Sequence, residues 1–319
     1  MMSQRMKAVR MHDYGGPEVL VYEEIPRPVP VGDEVLIAVE AAGVNPVDWK
    51  IREGYLRSTR MHTLPHTLGC DVAGTVAASG DQVRDFAVGQ AVYAYTSLAR
   101  EGTYADFVIA KQVEIAAKPA KLDFTEAAAI PVAGLTSWQA LFDTAGLMPG
   151  QRVLIHAAAG GVGSIAVQLA KWKGAHVIAT ASAPNRDFVQ SLGADEFIDY
   201  TVVRFDKVVQ DVDVVFDTIG GETQERSFRV LKKGGFLVSI VNPPAADSLN
   251  AYEIRGAMTS VQPNGAQLTE IATLIDAGLI KTHVDTVLPL SEARKAQELS
   301  QTGRTRGKIV LSAAASKER

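Results

Sequence analysis

The chain has 319 residues, enough for two domains with separate cores, and its 47% hydrophobic and 21% charged content is that of an ordinary globular protein. A formal net charge of -4 gives no electrostatic support to a nucleic-acid or anionic-membrane partner. No apolar run reaches membrane-spanning length, and Met1–Arg10 lacks the apolar core of a secretory signal; Cys70, the sole cysteine, excludes an internal disulfide and a cysteine-rich zinc site, so a cytoplasmic location is expected.

The first third is built of short alternating segments such as Glu34–Glu40, Val72–Ala78 and Gln90–Tyr95, punctuated by glycine and proline. That texture predicts a β-rich domain of small strands. His62 and His66 are four residues apart, but Pro65 stands between them and no Glu adjoins His62, so they are read as loop histidines rather than metal ligands. No Gly-x-Ser-x-Gly elbow occurs, which leaves a serine hydrolase without support. Helical periodicity takes over near Thr125.

The most informative stretch is Val153–Ser182. An apolar run, Val153–Ile155, enters a glycine-rich turn; an amphipathic segment, Val162–Lys173, follows, and then a second apolar run, Val177–Ala181. This is a βαβ unit with its glycines where a dinucleotide pyrophosphate sits on a helix N-terminus. Ala158, Gly160 and Gly163 occupy the three positions of the G-x-G-x-x-G template, the first being alanine. Ala159, Gly160, Gly161 and Val162 are the expected pyrophosphate-binding residues of the turn. An NAD site places Asp or Glu about 20 residues after the fingerprint to bond the ribose 2′-hydroxyl. Here Thr180-Ala181-Ser182 carries no carboxylate, and Arg186 follows. Hydroxyls and a guanidinium suit a 2′-phosphate, so NADP(H) is favoured, with Thr180, Ser182 and Arg186 as its ligands.

Further apolar runs at Phe197–Ile198, Val212–Phe216, Phe236–Val241 and Met258–Val261 alternate with helical patterns such as Arg186–Leu192 and Thr223–Leu231. Such alternation implies an α/β architecture with a doubly wound parallel sheet. Gly220-Gly221 and Gly234-Gly235 mark turns. Near Lys281 the texture changes again, and Lys308–Leu311 is the last strand candidate. The chain is therefore expected to leave a first domain, build a dinucleotide domain and return.

Met6-Lys7-Ala8-Val9, Tyr14–Leu20, Gly43–Asp48, Leu68–Gly74, Gly134–Ser137, Ala158–Gly163, Leu192–Asp195, Ile198-Asp199-Tyr200 and Gly307–Leu311 together resemble the zinc-independent, quinone oxidoreductase-like branch of the medium-chain dehydrogenase/reductases over nearly the whole chain. The resemblance implies a GroES-like β-rich catalytic domain, residues 1–125 completed by 282–319, and a Rossmann domain, residues 126–281, with the active site in the cleft between them. It further implies a homodimer. In the zinc-dependent members the catalytic metal is held by a cysteine where this chain has Asn45 and by a His-Glu pair where it has Cys70-Asp71, so no metal is expected. By the same transfer, Asn45 lies near the nicotinamide ribose, Thr136 near the nicotinamide or its phosphate and Tyr200 near the adenosine phosphate, while Ile219 and Val241 pack on the nicotinamide half. Asp48 and Asp71 are expected to brace loops.

The segment Asn45–Arg52 is similar to that of alkenal/one reductases, with Lys50 where the quinone reductases carry tyrosine. Lys50 has two readings: an ammonium that binds the substrate oxygen, or a surface lysine covering apolar loop atoms with its stem. Tyr55 offers a phenol at an offset position. The expected activity is NADPH-dependent, metal-free hydride transfer to an enone, alkenal or quinone, with Lys50 and Asn45 as the catalytic pair. Two alternatives stay open: an NADPH-binding protein with little turnover, and an enoyl-thioester reductase, for whose phosphate tail Arg57 and Arg60 are the only candidates.

Overall fold

The computed structural model describes residues 4–59 and 62–313. Its chain begins with strands β1 (Arg5–Met11), β2 (Leu20–Pro26) and β3 (Glu34–Val44), followed by helix α1 (Pro46–Arg52). Then come β4 (His66–Thr67), β5 (Asp71–Ser79), β6 (Ala91–Tyr95), β7 (Phe107–Lys111), β8 (Ile115–Ala117), α2 (Phe124–Ala128) and α3 (Pro131–Trp138). The central stretch supplies β9 (Arg152–Ile155), α4 (Gly161–Trp172), β10 (His176–Ala181), α5 (Arg186–Ser191), β11 (Glu196–Asp199), β12 (Val212–Asp217), α6 (Gly221–Ser227), β13 (Leu231–Ser239), α7 (Ala246–Ala251) and β14 (Arg255–Met258). The chain closes with α8 (Gly265–Asp276), β15 (Val284–Pro289), α9 (Ala293–Gln301) and β16 (Lys308–Ser312).

The chain divides into two compact units, one holding residues up to Val132 with Gln262–Ala277 and the segment from Thr282 onward, the other Ala133–Val261 with Gly278–Lys281. The first unit therefore includes α8, which begins well before the change of texture near Lys281. The reason is local packing: the Tyr93 hydroxyl donates to Leu268 O at 2.5 Å, the Asp276 carboxylate accepts from the Ala120 and Lys121 amides, and Gly265 lies so close to Ile115 O that an added Cβ would stand 2.3 Å from it.

In the first unit a seven-stranded sheet runs β15-β16-β3-β5-β6-β8, with β7 also on β3, and a three-stranded sheet runs β2-β1-β4. Strand β3 organises the larger sheet. Along one edge it pairs with β5; along the other, Glu34–Ala38 pair with β7 and Ala41–Val44 with β16. Its register slips between Val39 and Ala41, the kind of irregularity that bends a strand and lets it serve two partners. The core beneath gathers Val35, Ile37, Val39, Val72, Val92, Tyr104, Ile309 and Leu311.

The second unit is a six-stranded, all-parallel sheet in the order β11-β10-β9-β12-β13-β14. Read in chain order this is 3-2-1-4-5-6, the Rossmann arrangement, which reverses direction between its first and fourth strands and binds ligands at that switch point. The near-continuous burial of Val153–Ile155 and Val212–Phe216 is what a parallel sheet covered on both faces requires. Four local readings need correction. The last strand is Arg255–Met258 rather than Met258–Val261, with Met258 at its end and 46% exposed, because its pairing follows β13 rather than the apolar run. Helix α6 stops at Ser227, and Leu231 already belongs to β13, which ends at Ser239 rather than Val241. Gly234-Gly235 lies inside that strand, where Val212 faces Leu231 but Val214 faces Phe236, so the glycines take up a bulge.

Gly163 shows how closely helix and strand turn approach: a Cβ there would lie 2.3 Å from Ala157 O. Gly163→Ala must push the helix away from that turn. The expected result is a loss of about 1–3 kcal/mol of stability, read as a lower urea midpoint.

Candidate active site

The first unit contains a buried polar cluster where β3 ends and α1 begins. Pro46 at the first helical position and Asn45 as N-cap start the helix, and Asp48 Oδ2 accepts from the Asn45 amide at 2.7 Å, the carboxylate half of a capping box. The Asn45 side chain faces protein on both sides. Its Nδ2 donates to Asp71 Oδ2 at 2.9 Å and approaches Cys70 Sγ at 3.7 Å, while Oδ1 accepts from Lys308 Nζ at 2.5 Å. Lys308 Nζ also donates to Val44 O at 2.9 Å and to Asp71 Oδ2 at 3.1 Å. The other Asp71 oxygen accepts from the Val132 amide at 2.7 Å, and Tyr104 donates to Asp48 Oδ2 at 2.7 Å.

Burial controls the protonation of this cluster. Asp48 is fully buried, and desolvation pushes its carboxyl up to about 7, against the lowering influence of the Asn45 amide, Tyr104 and Lys308. Its Oδ1 has no partner among the described residues, so nothing there favours the ion. Burial also pushes the Cys70 thiol well up, reinforced by Asp48 and Asp71, and so withholds the thiolate that metal binding or nucleophilic attack needs.

Lys50 is half-buried on α1 with its ammonium 5.7 Å from the Trp49 ring centroid, and among the described residues no carboxylate lies within ion-pair distance of it. Tyr55 is 65% exposed and stands edge-on to Trp49. Arg57 stacks over Tyr14, and Arg60 lies outside the described residues. His66 belongs to the short strand β4 rather than to a loop; its ring stacks on His62 at 4.2 Å, and burial, then the neighbouring His62, lowers it to about 4.

In the second unit the glycine turn leads directly into α4. Gly160 is its N-cap in extended conformation, with only Ala157 O, at 3.4 Å, near an imagined Cβ. The amides of Gly161, Val162 and Gly163 open the helix and have no intrahelical acceptor. Ala159 is buried beside them, and Ala157 takes the positive φ (48°) that the alanine-substituted turn demands. The turn thus presents a helix N-terminus, a type of site suited to anions, with backbone room above Gly160. Thr136 is buried on α3, and the adjoining Ser137 donates to Val162 O at 3.0 Å, tying that helix to the turn.

At the carboxyl edge of the sheet, β10 and β11 pair in parallel with Ala181 opposite Asp199, which brings Ser182 and Tyr200 to neighbouring strand ends. Tyr200 is 61% exposed, Ser182 accepts from Asn185 Nδ2 at 3.1 Å, and exposed Arg186 begins α5 with its guanidinium over the Phe197 ring. Thr180 does not join them. It is 3% exposed, and its hydroxyl bonds His156 Nδ1 at 3.0 Å inside the sheet, because it is a strand residue pointing inward. Asp199, which the sequence pattern did not single out, stands at this edge; its carboxyl is held below the usual range chiefly by hydrogen bonds from Thr201 and is turned onto that residue. Ile219, 51% exposed, and half-buried Val241 follow the ends of β12 and β13, which also pair in parallel.

The residues do not fit a catalytic zinc ion. Among the described residues no group of three or more His, Cys, Asp or Glu side chains could hold a metal, and the Lys308 ammonium already occupies the acceptors of Asn45 and Asp71. Nor is any helix among them long and apolar enough to cross a membrane.

Residues 32–120 match the family described as Alcohol dehydrogenase GroES-like domain, and residues 192–311 match Zinc-binding dehydrogenase. The chain is 35% identical to the chloroplast envelope quinone oxidoreductase homolog of Arabidopsis thaliana, across 98% of this chain and 99% of that protein. It is 37% identical to the chloroplastic NADPH-dependent alkenal/one oxidoreductase of the same plant, across 97% and 80%. The structure of Escherichia coli quinone oxidoreductase complexed with NADPH superposes with a TM-score of 0.87 at 30% identity, covering 96% of this chain and 99% of that one.

The buried Asp48 carboxyl makes a testable contribution to pH dependence. Below pH 4 it is protonated in folded and unfolded chains alike and contributes nothing. As pH rises to 7 the unfolded chain releases its proton while the folded chain keeps it, so the folded state loses ground. The stability of the wild type relative to Asp48→Asn should fall by on the order of 4 kcal/mol between pH 4 and pH 7. Denaturant titrations of both proteins across that range check the sign and size; a pH-independent difference refutes it.

Proposed function

The chain belongs to the medium-chain dehydrogenase/reductase family, in its zinc-independent, quinone oxidoreductase-like branch, and from that membership we propose that it is an NADPH-dependent oxidoreductase acting on α,β-unsaturated carbonyls or quinones without a metal. The observation that carries the enone reading is Lys50: a cationic donor with no anionic partner among the described residues, on the helix that starts at a polar cluster whose own cation is fully bonded.

When bound, NADPH supplies the hydride. The first-turn amides of α4 would hold its pyrophosphate, and Ser182, Arg186 and Tyr200 would hold the 2′-phosphate, with the Asp199 carboxylate accepting from Thr201. Thr136, Ile219 and Val241 would border the nicotinamide half. Delivered to the β-carbon of an enone, that hydride would shift the alkene electron pair toward the carbonyl and leave negative charge on its oxygen. The Lys50 ammonium is the donor we assign to that oxygen, an electrostatic role. A proton from solvent then reaches the α-carbon and completes the saturated product. Quinones accept hydride by the same electronic logic. Asn45 contributes by fixing the start of the helix that carries Lys50.

We also infer a cytoplasmic homodimer. The sole cysteine, Cys70, supports the compartment, and β14, an outer strand of the parallel sheet, supports pairing between copies; light scattering of the purified protein tests the second point.

Two measurements follow. Initial rates of NADPH oxidation with a short enone, a 2-alkenal, a para-quinone and no acceptor should show turnover of the enone or alkenal, and Lys50→Ala should lower kcat/KM for them at least about tenfold, a loss of about 1.4 kcal/mol in the transition state. Turnover of the quinone alone, indifferent to Lys50, overturns the assignment. Arg186→Ala should raise KM for NADPH about tenfold while leaving KM for NADH unchanged; an equal effect on both cofactors removes Arg186 from the 2′-phosphate site.

A further inference from the structure

The cation at the centre of the polar cluster has no part in the reaction just described, yet its surroundings are built for it. Lys308 is the first residue of β16 and only 6% exposed. Its three ammonium protons meet three oxygens: Val44 O at 2.9 Å, Asn45 Oδ1 at 2.5 Å and Asp71 Oδ2 at 3.1 Å. A lysine has three donors and no acceptor, so this set saturates it. Two glycines make the approach feasible. Gly307 takes a positive φ of 70°, and a Cβ there would lie 2.1 Å from His283 O. At Gly43 a Cβ would lie 2.8 Å from Asp71 Oδ2, so only glycine leaves room for that carboxylate.

The bonds connect three places in the chain: the end of β3, the N-cap of α1 and the first residue of β5. They also leave the Asn45 amide a single orientation. Its oxygen must face the ammonium and its nitrogen the carboxylate; the flipped amide would set like against like on both sides. Because the Asn45 backbone amide is held by Asp48 as well, the origin of α1 is fixed through side chain and main chain together. Lys50 follows five residues later on the same short helix.

We propose that Lys308 is a positioning residue: its buried ammonium sets the orientation of the Asn45–Lys50 segment and so determines where the Lys50 ammonium meets the substrate oxygen. The proposal rests on the enone-reducing role of Lys50 given above, and the test separates the two. Steady-state kinetics with NADPH and a short enone are measured for wild type, Lys50→Ala, Lys308→Met and the double variant, with active sites counted by stoichiometric NADPH binding. Lys308→Met leaves Asp71 as an unpaired buried charge, so Lys308→Met/Asp71→Asn, which removes both charges, serves where the single variant does not fold.

The expected result is a fall in kcat of at least tenfold for Lys308→Met, with KM for NADPH within twofold of wild type. Lys50→Ala in that background should slow the enzyme no further, because a misplaced donor has nothing left to lose. A lowered melting temperature with unchanged kcat per active site overturns the proposal, as do losses that multiply. A slow Lys308 variant beside an indifferent Lys50→Ala sinks the Lys50 reading and leaves Lys308 acting through the rest of the segment. A slow Lys50→Ala beside an indifferent Lys308 variant does the reverse.

Discussion

Lys308 and Asp71, 237 positions apart in sequence, form a buried ion pair on which the arrangement of the β-rich unit depends. Burying two charges is unfavourable unless their remaining donors and acceptors are met, and removing one partner alone typically destabilises a protein by about 3–5 kcal/mol. Here the requirement is satisfied: the ammonium has three oxygens, and the carboxylate accepts from Lys308, Asn45 and the Val132 amide. The pair also links the last strand of the chain to the third and the fifth, so the C-terminal return is joined to the sheet by charge as well as by the backbone pairing of Ile309–Ser312 with β3.

The same cluster explains how a fold whose relatives include zinc dehydrogenases does without the ion. A metal cation and a lysine ammonium both gather oxygen ligands, but an ammonium saturated inside the protein cannot polarise a substrate carbonyl. In the reading proposed above, stabilisation of developing negative charge falls to a second cation, Lys50 on the adjoining helix, which has no carboxylate within ion-pair distance among the described residues. Below neutral pH, buried Asp48 and the Cys70 thiol are both held toward their uncharged forms by desolvation.

The parallel unit works by a different constraint. All six strands run the same way, so their carboxyl ends lie along one edge, and residues distant in sequence reach it together: the glycine turn after β9, Ser182 after β10, Tyr200 after β11, Ile219 after β12 and Val241 beyond β13. The close contact of Gly163 with Ala157 O presses α4 against the first of these strands and sets its N-terminus at that edge. His156, buried between Thr180 and Ser227 and lowered to about 4 by burial, stays neutral there and serves as a hydrogen-bonding spacer between strand and helix.

The sequence by itself determined the class of the fold and the chemistry of its second unit. Glycine spacing, apolar runs and the lack of a carboxylate at Thr180–Ser182 are local signals, and a parallel βαβ architecture converts local order into spatial order almost without freedom. It also drew attention to Asn45 and Lys50, through the resemblance of the segment that carries them. What only the tertiary structure decided lies where contacts are non-local. The inward turn of Thr180 follows from strand pleat and from His156, the edge strand at Arg255–Met258 from pairing with β13, and the membership of α8 in the first unit from Tyr93 and Asp276. Lys308 is the sharpest case. In sequence it is one lysine at the start of a strand candidate, Lys308–Leu311; its contacts exist only because β16 pairs beside β3 and brings an ammonium to two residues more than 230 positions away. The energy of a buried charge depends on what surrounds it in space, and no local pattern encodes that.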